Sequence, residues 1–309
     1  MKYYLGIDTS NYTTSAAVCD KSGKVIFNLK KMLPVPEGHK GLRQSDAVFA
    51  HIKNISEVLS GVKEIPISDI AAIGYSAYPR NIEGSYMPCF EVGAAVAGSI
   101  AHLADIPIYK FSHQQGHIRA VKYGCGQDDL NEFIAFHISG GTTDILYVNG
   151  DNIDRIGGTT DLNAGQAIDR CGVALGMKFP CGPELERLAD KYDYDEPFNV
   201  SINGFECSLS GLENKFNKMI AEGEAPVKVA SFTIRFISKT IDKLAGNVQS
   251  DVRYSSLPLI FAGGVMSCRY ISDVISNKYN AYFAPPEFSS DNAAGTALLA
   301  RDKDITINE

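Results

Sequence analysis

Several things are missing from this chain, and each absence narrows the answer. No stretch approaches the ~20 consecutive apolar residues of a membrane span. The N-terminus, MKYYLGIDTS, meets Asp8 before a signal-peptide core could form. The seven cysteines (Cys19, Cys89, Cys125, Cys171, Cys181, Cys207, Cys268) never form C-x-x-C and are odd in number, which argues against a disulfide framework or a zinc knuckle. A surplus of positive charge is also lacking: 29 Lys and Arg stand against 36 Asp and Glu, for a formal charge of -7. Contact with nucleic acid would therefore need a local basic patch or a helper protein. We find no low-complexity segment and no flexible linker. The expectation is a cytoplasmic protein with reduced thiols and no membrane association.

What is present is ordinary for a globular protein, with 45% hydrophobic and 21% charged residues. The 309 residues are about twice the ~150 of a typical domain, so two lobes are expected. The opening segment, YYLGIDTSNYTTSAAVCDKSGKVIFNL, reads as strand (Tyr3 to Ile7), Ser/Thr turn, strand (Ser15 to Cys19), Lys-Ser-Gly turn, strand (Val25 to Leu29). Roughly 130 residues later FIAFHISGGTTDILYVNGDNIDRIGGT repeats the same order, which suggests internal duplication. Helices are predicted over 44 to 60, with Val48, Phe49, Ile52, Ile55 and Leu59 on the apolar face, over 91 to 104, and over Lys228 to Val248. LPLIFAGG runs into a helix after Met266, and a last helix follows a cap at Ser290 or Asp291. Alternating strands and helices imply α/β architecture. Duplicated three-strand units with a glycine and hydroxyl turn are the pattern of the actin-like ATPase fold, in which two lobes hold a nucleotide in a cleft between them.

Two motifs carry chemistry. In Ser139-Gly140-Gly141-Thr142-Thr143 the glycines let main-chain amides approach an anionic ligand, and the hydroxyls add donors without bulk. In His113-Gln-Gln-Gly-His117 the two imidazoles stand at i and i+4, on one face of a helix, and could reach one cation. No glutamate follows the first histidine, which removes the metalloprotease reading. A third ligand must come from elsewhere, and Asp291 is a reasonable candidate. Two histidines and a carboxylate suit Fe(II) or Zn(II).

SHQQGH, SGGTTD, NAGQAIDRCGVALGMKFPCGPELERLA, CSLSGLENKF, IFAGGV and SSDNAAG, in this order, resemble the motifs of the TsaD/Gcp family of tRNA threonylcarbamoyladenosine synthases, from Gly6 nearly to Ala300. The resemblance implies an actin-like fold divided at 1–112 and 113–309, with a helical insertion in the second lobe and a final helix from about 290 packing back on the first. It implies one Fe(II) or Zn(II) held by His113, His117 and Asp291. It also implies transfer of a threonylcarbamoyl group from an acyl-adenylate to N6 of the adenosine beside a tRNA anticodon. His137, Ile138, Ser139, Gly140 and Gly141 would line the adenylate, Asp169 and Gly182 the nucleoside, and Gly263, Gly264 and Cys268 the remainder of the nucleotide site. Helper proteins are implied as partners, with a homo- or heterodimer left open.

Departures from the family pattern mark a divergent paralogue. Where the family reads G-I-E-T-S-C-D-E-T, this chain has Gly6-Ile7-Asp8-Thr9-Ser10-Asn11-Tyr12-Thr13-Thr14, so both acids after the cysteine are gone. Tyr12 and Thr13 cannot act as bases at neutral pH. Asp8, the shortened equivalent of the family's glutamate, is the candidate catalytic residue. The family's lysine in S-G-L-K is Glu213 and the asparagine of A-G-G-V-S-A-N is Cys268. Two other readings stay open: a small-molecule carbamoyltransferase working through carbamoyl-adenylate, and a non-catalytic nucleotide-binding scaffold or regulator.

Overall fold

The structure, a computed structural model, describes residues 2–10, 12–34 and 42–308, so Asn11 of the first turn lies outside the described residues. The chain divides into two compact units, Met1–Gly126 with Glu287–Glu309, and Gln127–Pro286. The first contains β1 (Tyr3–Ser10), β2 (Thr13–Asp20), β3 (Val25–Met32), α1 (Gln44–Ser60), β4 (Ile70–Tyr78), α2 (Phe90–Ala104), β5 (Ile108–Ser112) and α3 (His113–Gly124). The second contains β6 (Glu132–Ile138), β7 (Thr143–Asn149), β8 (Asn152–Thr159), α4 (Ala164–Ala174), α5 (Gly182–Ala189), β9 (Ser201–Asn203), β10 (Glu206–Ser208), α6 (Ser210–Ala221), α7 (Pro226–Ser250), β11 (Leu259–Ala262), α8 (Arg269–Ser276) and β12 (Ala281–Phe283). The short α9 (Pro286–Ser289) and α10 (Ala294–Asn308) then return the chain to the first unit. The division thus differs from the one at 112/113: α3 packs against α10 and belongs with the first unit.

Both sheets are built to one plan. The first has the order β3-β2-β1-β4-β5, and the second contains β8-β7-β6-β11-β12 in the same sense, extended at the β8 edge by β10 and β9. In each, the opening strand pairs antiparallel with the second and parallel with the fourth. The duplication expected from the repeated strand-turn-strand pattern is therefore present. β1 and β2 are buried along nearly their whole length because helices cover both faces of the sheet, which is why they read as apolar runs rather than as alternating patterns. In the second unit the rings of Phe136, Phe261 and Phe283 stack across β6, β11 and β12, at 4.7 and 5.1 Å between centroids.

α1 forms over the predicted residues but turns a different face inward. Ala47, His51, Asn54, Ile55 and Val58 are buried, whereas Phe49 and Ile52 remain 59% and 55% exposed. His51 shares a 2.8 Å hydrogen bond with Thr14, and that polar contact fixes the rotation that hydropathy alone misassigns. α10 begins at Ala294, where the Asn292 side chain accepts from Ala294 N at 2.9 Å.

α10 sits in backbone contact with its neighbours. A Cβ added to Gly295 would lie 1.8 Å from Gly116 O and 2.6 Å from Ala120 N of α3. One added to Gly6 would meet Ala293 O and Ala297 N at 2.5 Å, and one on Gly74 would meet Thr296 O at the same distance. Gly295→Ala is expected to lower stability by about 1–3 kcal/mol through overpacking, read as a reduced urea midpoint. Gly98→Ala, in mid-α2 with open space beside the Cα, should instead raise it by up to about 1 kcal/mol.

Candidate functional site

β5 ends in Ser112, and the sequence Ser-His-Gln-Gln closes a capping box there. Ser112 Oγ accepts from Gln115 N at 3.1 Å, and Gln115 Oε1 accepts from Ser112 N at 2.9 Å. Helix α3 therefore begins at His113, which places His117 one turn further on the same face. The two rings stand 5.6 Å apart between centroids and nearly perpendicular, at 88°. Asp291 Oδ1, delivered by the segment before α10, lies 3.4 Å from His113 Nε2 and 3.7 Å from His117 Nε2. One donor atom from each of the three residues lies within 4.8 Å of the others.

Asp8, near the C-terminal end of β1, joins this group from below. Its Oδ2 is 2.8 Å from His113 Nδ1 and accepts from Ser76 Oγ of β4 at 2.6 Å, while Oδ1 accepts from Ser10 N at 2.8 Å. The carboxylate is 1% exposed. Burial by itself would raise the Asp8 pKa, but the His113 charge and the donors from Ser10 and Ser76 outweigh it and hold the group below the ordinary carboxylate range. Burial likewise opposes charge on His113, yet the Asp8 carboxylate, helped by Asp291, pushes its pKa up to about 10. His117 goes the other way, to about 4, through burial and the neighbouring His113 charge. The chemistry of this donor set, two imidazoles and a carboxylate converging with one imidazole already held by a second carboxylate, fits a divalent transition metal.

The second unit holds the glycine turns. Gly140 and Gly141 are exposed, with open space beside both Cα atoms. The hydroxyls also accept: Ser139 Oγ from Gly141 N and Thr142 N, at 3.3 and 3.1 Å, and Thr143 Oγ1 from Ala164 N at 2.9 Å. They hold the turn and the start of α4 in shape. Gly165 of α4 fits beneath, where a Cβ would fall 2.6 Å from Gly140 N. Gly263, at φ 98°, lies against Ile138, whose carbonyl a Cβ would meet at 2.2 Å, and Ala262 is in register with His137. Gly264 is exposed with open space beside it. Asp169, one turn along α4 from Gly165, accepts from Cys181 N at 2.8 Å and so adjoins Gly182, the first residue of α5. Cys268 is buried at the start of α8, and burial pushes its thiol up to about 12. None of the seven cysteines forms a disulfide. Tyr12 is 40% exposed at the hairpin after β1, and Thr13 pairs with Ser10.

Sequence reasoning missed Ser76 and Asp161. Asp161, between β8 and α4, accepts from Leu162 N, Leu209 N, Ser210 N and Ser208 Oγ at 2.6 to 3.2 Å, tying the start of α6 to the loop that leads into α4. The run Thr-Thr-Asp-Leu-Asn ahead of a helical segment was the available signal, since such residues satisfy local amides.

A family model described as TsaD: tRNA N6-adenosine threonylcarbamoyltransferase matches residues 41–298. The tRNA N6-adenosine threonylcarbamoyltransferase of Methanopyrus kandleri is 25% identical over 324 residues, 98% of this chain and 89% of that protein. The protein of the same name from Mesoplasma florum is 29% identical over 326 residues, 97% of this chain and 98% of its own length. Among solved structures, (R)-2-hydroxyglutaryl-CoA dehydratase component A of Acidaminococcus fermentans superposes with a TM-score of 0.59 at 17% identity, covering 99% of this chain and 100% of that one. HypF of T. kodakarensis gives 0.64 at 13% identity, covering 99% and 48%. These neighbours establish the fold as actin-like α/β.

Asp161 supplies a pH test. Burial would raise its pKa, but the bonds from Ser208, Leu209, Ser210 and Leu162 hold it well below the usual carboxylate range. Its stabilisation is therefore fully present above the unfolded value of about 3.9 and fades as pH falls through the lower folded value. Asp161→Asn should cost on the order of 1 kcal/mol at pH 7, after allowance for solvent screening, and the difference in urea midpoint from wild type should shrink below about pH 4.

Proposed function

Because the chain belongs to the TsaD family of tRNA N6-adenosine threonylcarbamoyltransferases, we propose that it transfers a threonylcarbamoyl group from an acyl-adenylate to N6 of a tRNA adenosine, in the cytoplasm and with helper proteins. The observation that carries the reading is the convergence of His113, His117 and Asp291 within 4.8 Å, built by a capping box and a glycine-seated helix. These three residues would hold Fe(II) or Zn(II), and such a cation would supply polarisation of an acyl carbonyl oxygen.

The chain's own groups bind and orient. The exposed main chain at Gly140 and Gly141 lets the phosphate of the donor approach closely, with His137, Ile138 and Ser139 beside it. Asp169 and Gly182 receive the nucleoside, and Gly263, Gly264 and Cys268 complete its seat. In the reaction a C–N bond forms between N6 and the carbamoyl carbon, the anhydride C–O bond breaks, and adenylate leaves with the electron pair. The N6 proton passes to solvent or to the leaving phosphate, because an activated anhydride needs orientation and charge stabilisation more than a strong base. That requirement is compatible with the loss of both acids at Tyr12 and Thr13.

A second reading keeps the fold and changes the acceptor to a small molecule, through carbamoyl-adenylate. Glu213 favours it: where the family carries a lysine, this chain has an acid that binds Arg170 at 2.6 Å, which removes one cation and neutralises another. Purified protein given threonylcarbamoyl-adenylate, tRNA and the family's helper proteins is expected to yield modified adenosine, and His117→Ala to yield none. No product from wild type removes the tRNA acceptor. Pyrophosphate release from ATP on adding carbamoyl phosphate would then identify the second reading.

A further inference from the structure

Asp8 has two oxygens with different work. Oδ1 accepts from Ser10 N at 2.8 Å, the local bond of a turn residue, and an asparagine could make it equally well. Oδ2 faces His113 Nδ1 at 2.8 Å and Ser76 Oγ at 2.6 Å. A carboxylate only accepts, so the imidazole must present a proton at Nδ1. The remaining ring nitrogen, Nε2, points toward Asp291 Oδ1 at 3.4 Å, the side on which His117 also lies.

We propose that Asp8 is a positioning residue: it fixes the tautomer and ring orientation of His113, so that Nε2 alone is the cation-binding atom. The inference rests on the metal reading above and adds to it a residue outside the ligand set. Three features make Asp8 suited to the role. It is almost wholly buried, so water does not compete for Oδ2. Ser76 and Ser10 lie on either side and leave the carboxylate little freedom to rotate. It sits on β1, paired with β2 along its length and with β4, so the support is as rigid as the sheet.

Asp8→Asn separates the two kinds of work. The Ser10 N–H holds the amide oxygen at the Oδ1 position, which leaves the NH2 facing His113. An NH2 donates, so Nδ1 must accept, and the ring proton moves to Nε2, where it competes with the cation. Loss of such a supporting carboxylate ordinarily lowers metal affinity about 10–100-fold.

The test uses the full chain and zinc alone. Zinc affinity is measured by competition with a chromophoric chelator for wild type and Asp8→Asn, with thermal melting to confirm folding. Nitrogen-edited NMR of the zinc-loaded wild type locates the His113 proton. The expected result is a proton on Nδ1 and about 10–100-fold weaker zinc binding in Asp8→Asn. A proton on Nε2, or a folded Asp8→Asn that binds zinc as tightly as wild type, overturns the role of Asp8 and leaves the three-ligand reading standing. Wild type that binds no zinc overturns both. The NMR measurement needs only the wild-type chain, so it decides the matter even where the variant fails to fold.

Discussion

The first unit depends on how closely α10 can approach the strands and helix beneath it. Four glycines set that distance: Gly6 on β1, Gly74 on β4, Gly116 on α3 and Gly295 on α10 itself. Each occupies a place where a Cβ would overlap backbone or side-chain atoms, so the approach depends on the missing side chains. The consequence reaches beyond packing. Asp291 lies three residues before α10, so the gap between its carboxylate and the imidazoles of α3 depends on this backbone contact. Packing that lacks adjustable side chains transmits position with little loss, which a ligand cluster requires.

Charge in this cluster is arranged by burial and by order of contact. Asp8 and Asp291 both approach His113, one at each ring nitrogen, and together they outweigh the cost of burying its charge. His117 lies one helical turn further and feels chiefly burial and its charged neighbour, so it stays neutral. Two identical residue types four positions apart are thus pushed in opposite directions. In the second unit polar groups serve the backbone instead: Ser139 and Thr143 accept from main-chain amides at the exposed glycine turn and the start of α4, and Asp161 from those at the start of α6.

Much of this was legible in the residues. The strand-turn-strand repeats announced the duplicated sheets, because short apolar runs bounded by Asn-Gly or Ser-Gly turns are local signals. The i, i+4 histidines read as one helical face for the same reason, and Ser112 with Gln115 forms a cap that a short window contains. What escaped was non-local. Asp8 meets His113 across 105 positions of sequence, and nothing near either residue announces the pair. The inward face of α1 was misjudged because hydropathy favours Phe49 and Ile52, whereas the tertiary contact made by His51 decides the rotation. α3 clusters with the first unit because its partner, α10, returns from the far end of the chain.

The thiols have their own consequence. Burial pushes Cys19, Cys125, Cys207 and Cys268 up to about 12 and Cys171 up to about 11, so at neutral pH almost none carries the thiolate that reacts with electrophiles or peroxide. For the buried thiols an alkylating reagent gains access when the surrounding structure opens. The rate of labelling, cysteine by cysteine, is accordingly a clock for local unfolding, spread over both compact units by thiols outside any disulfide.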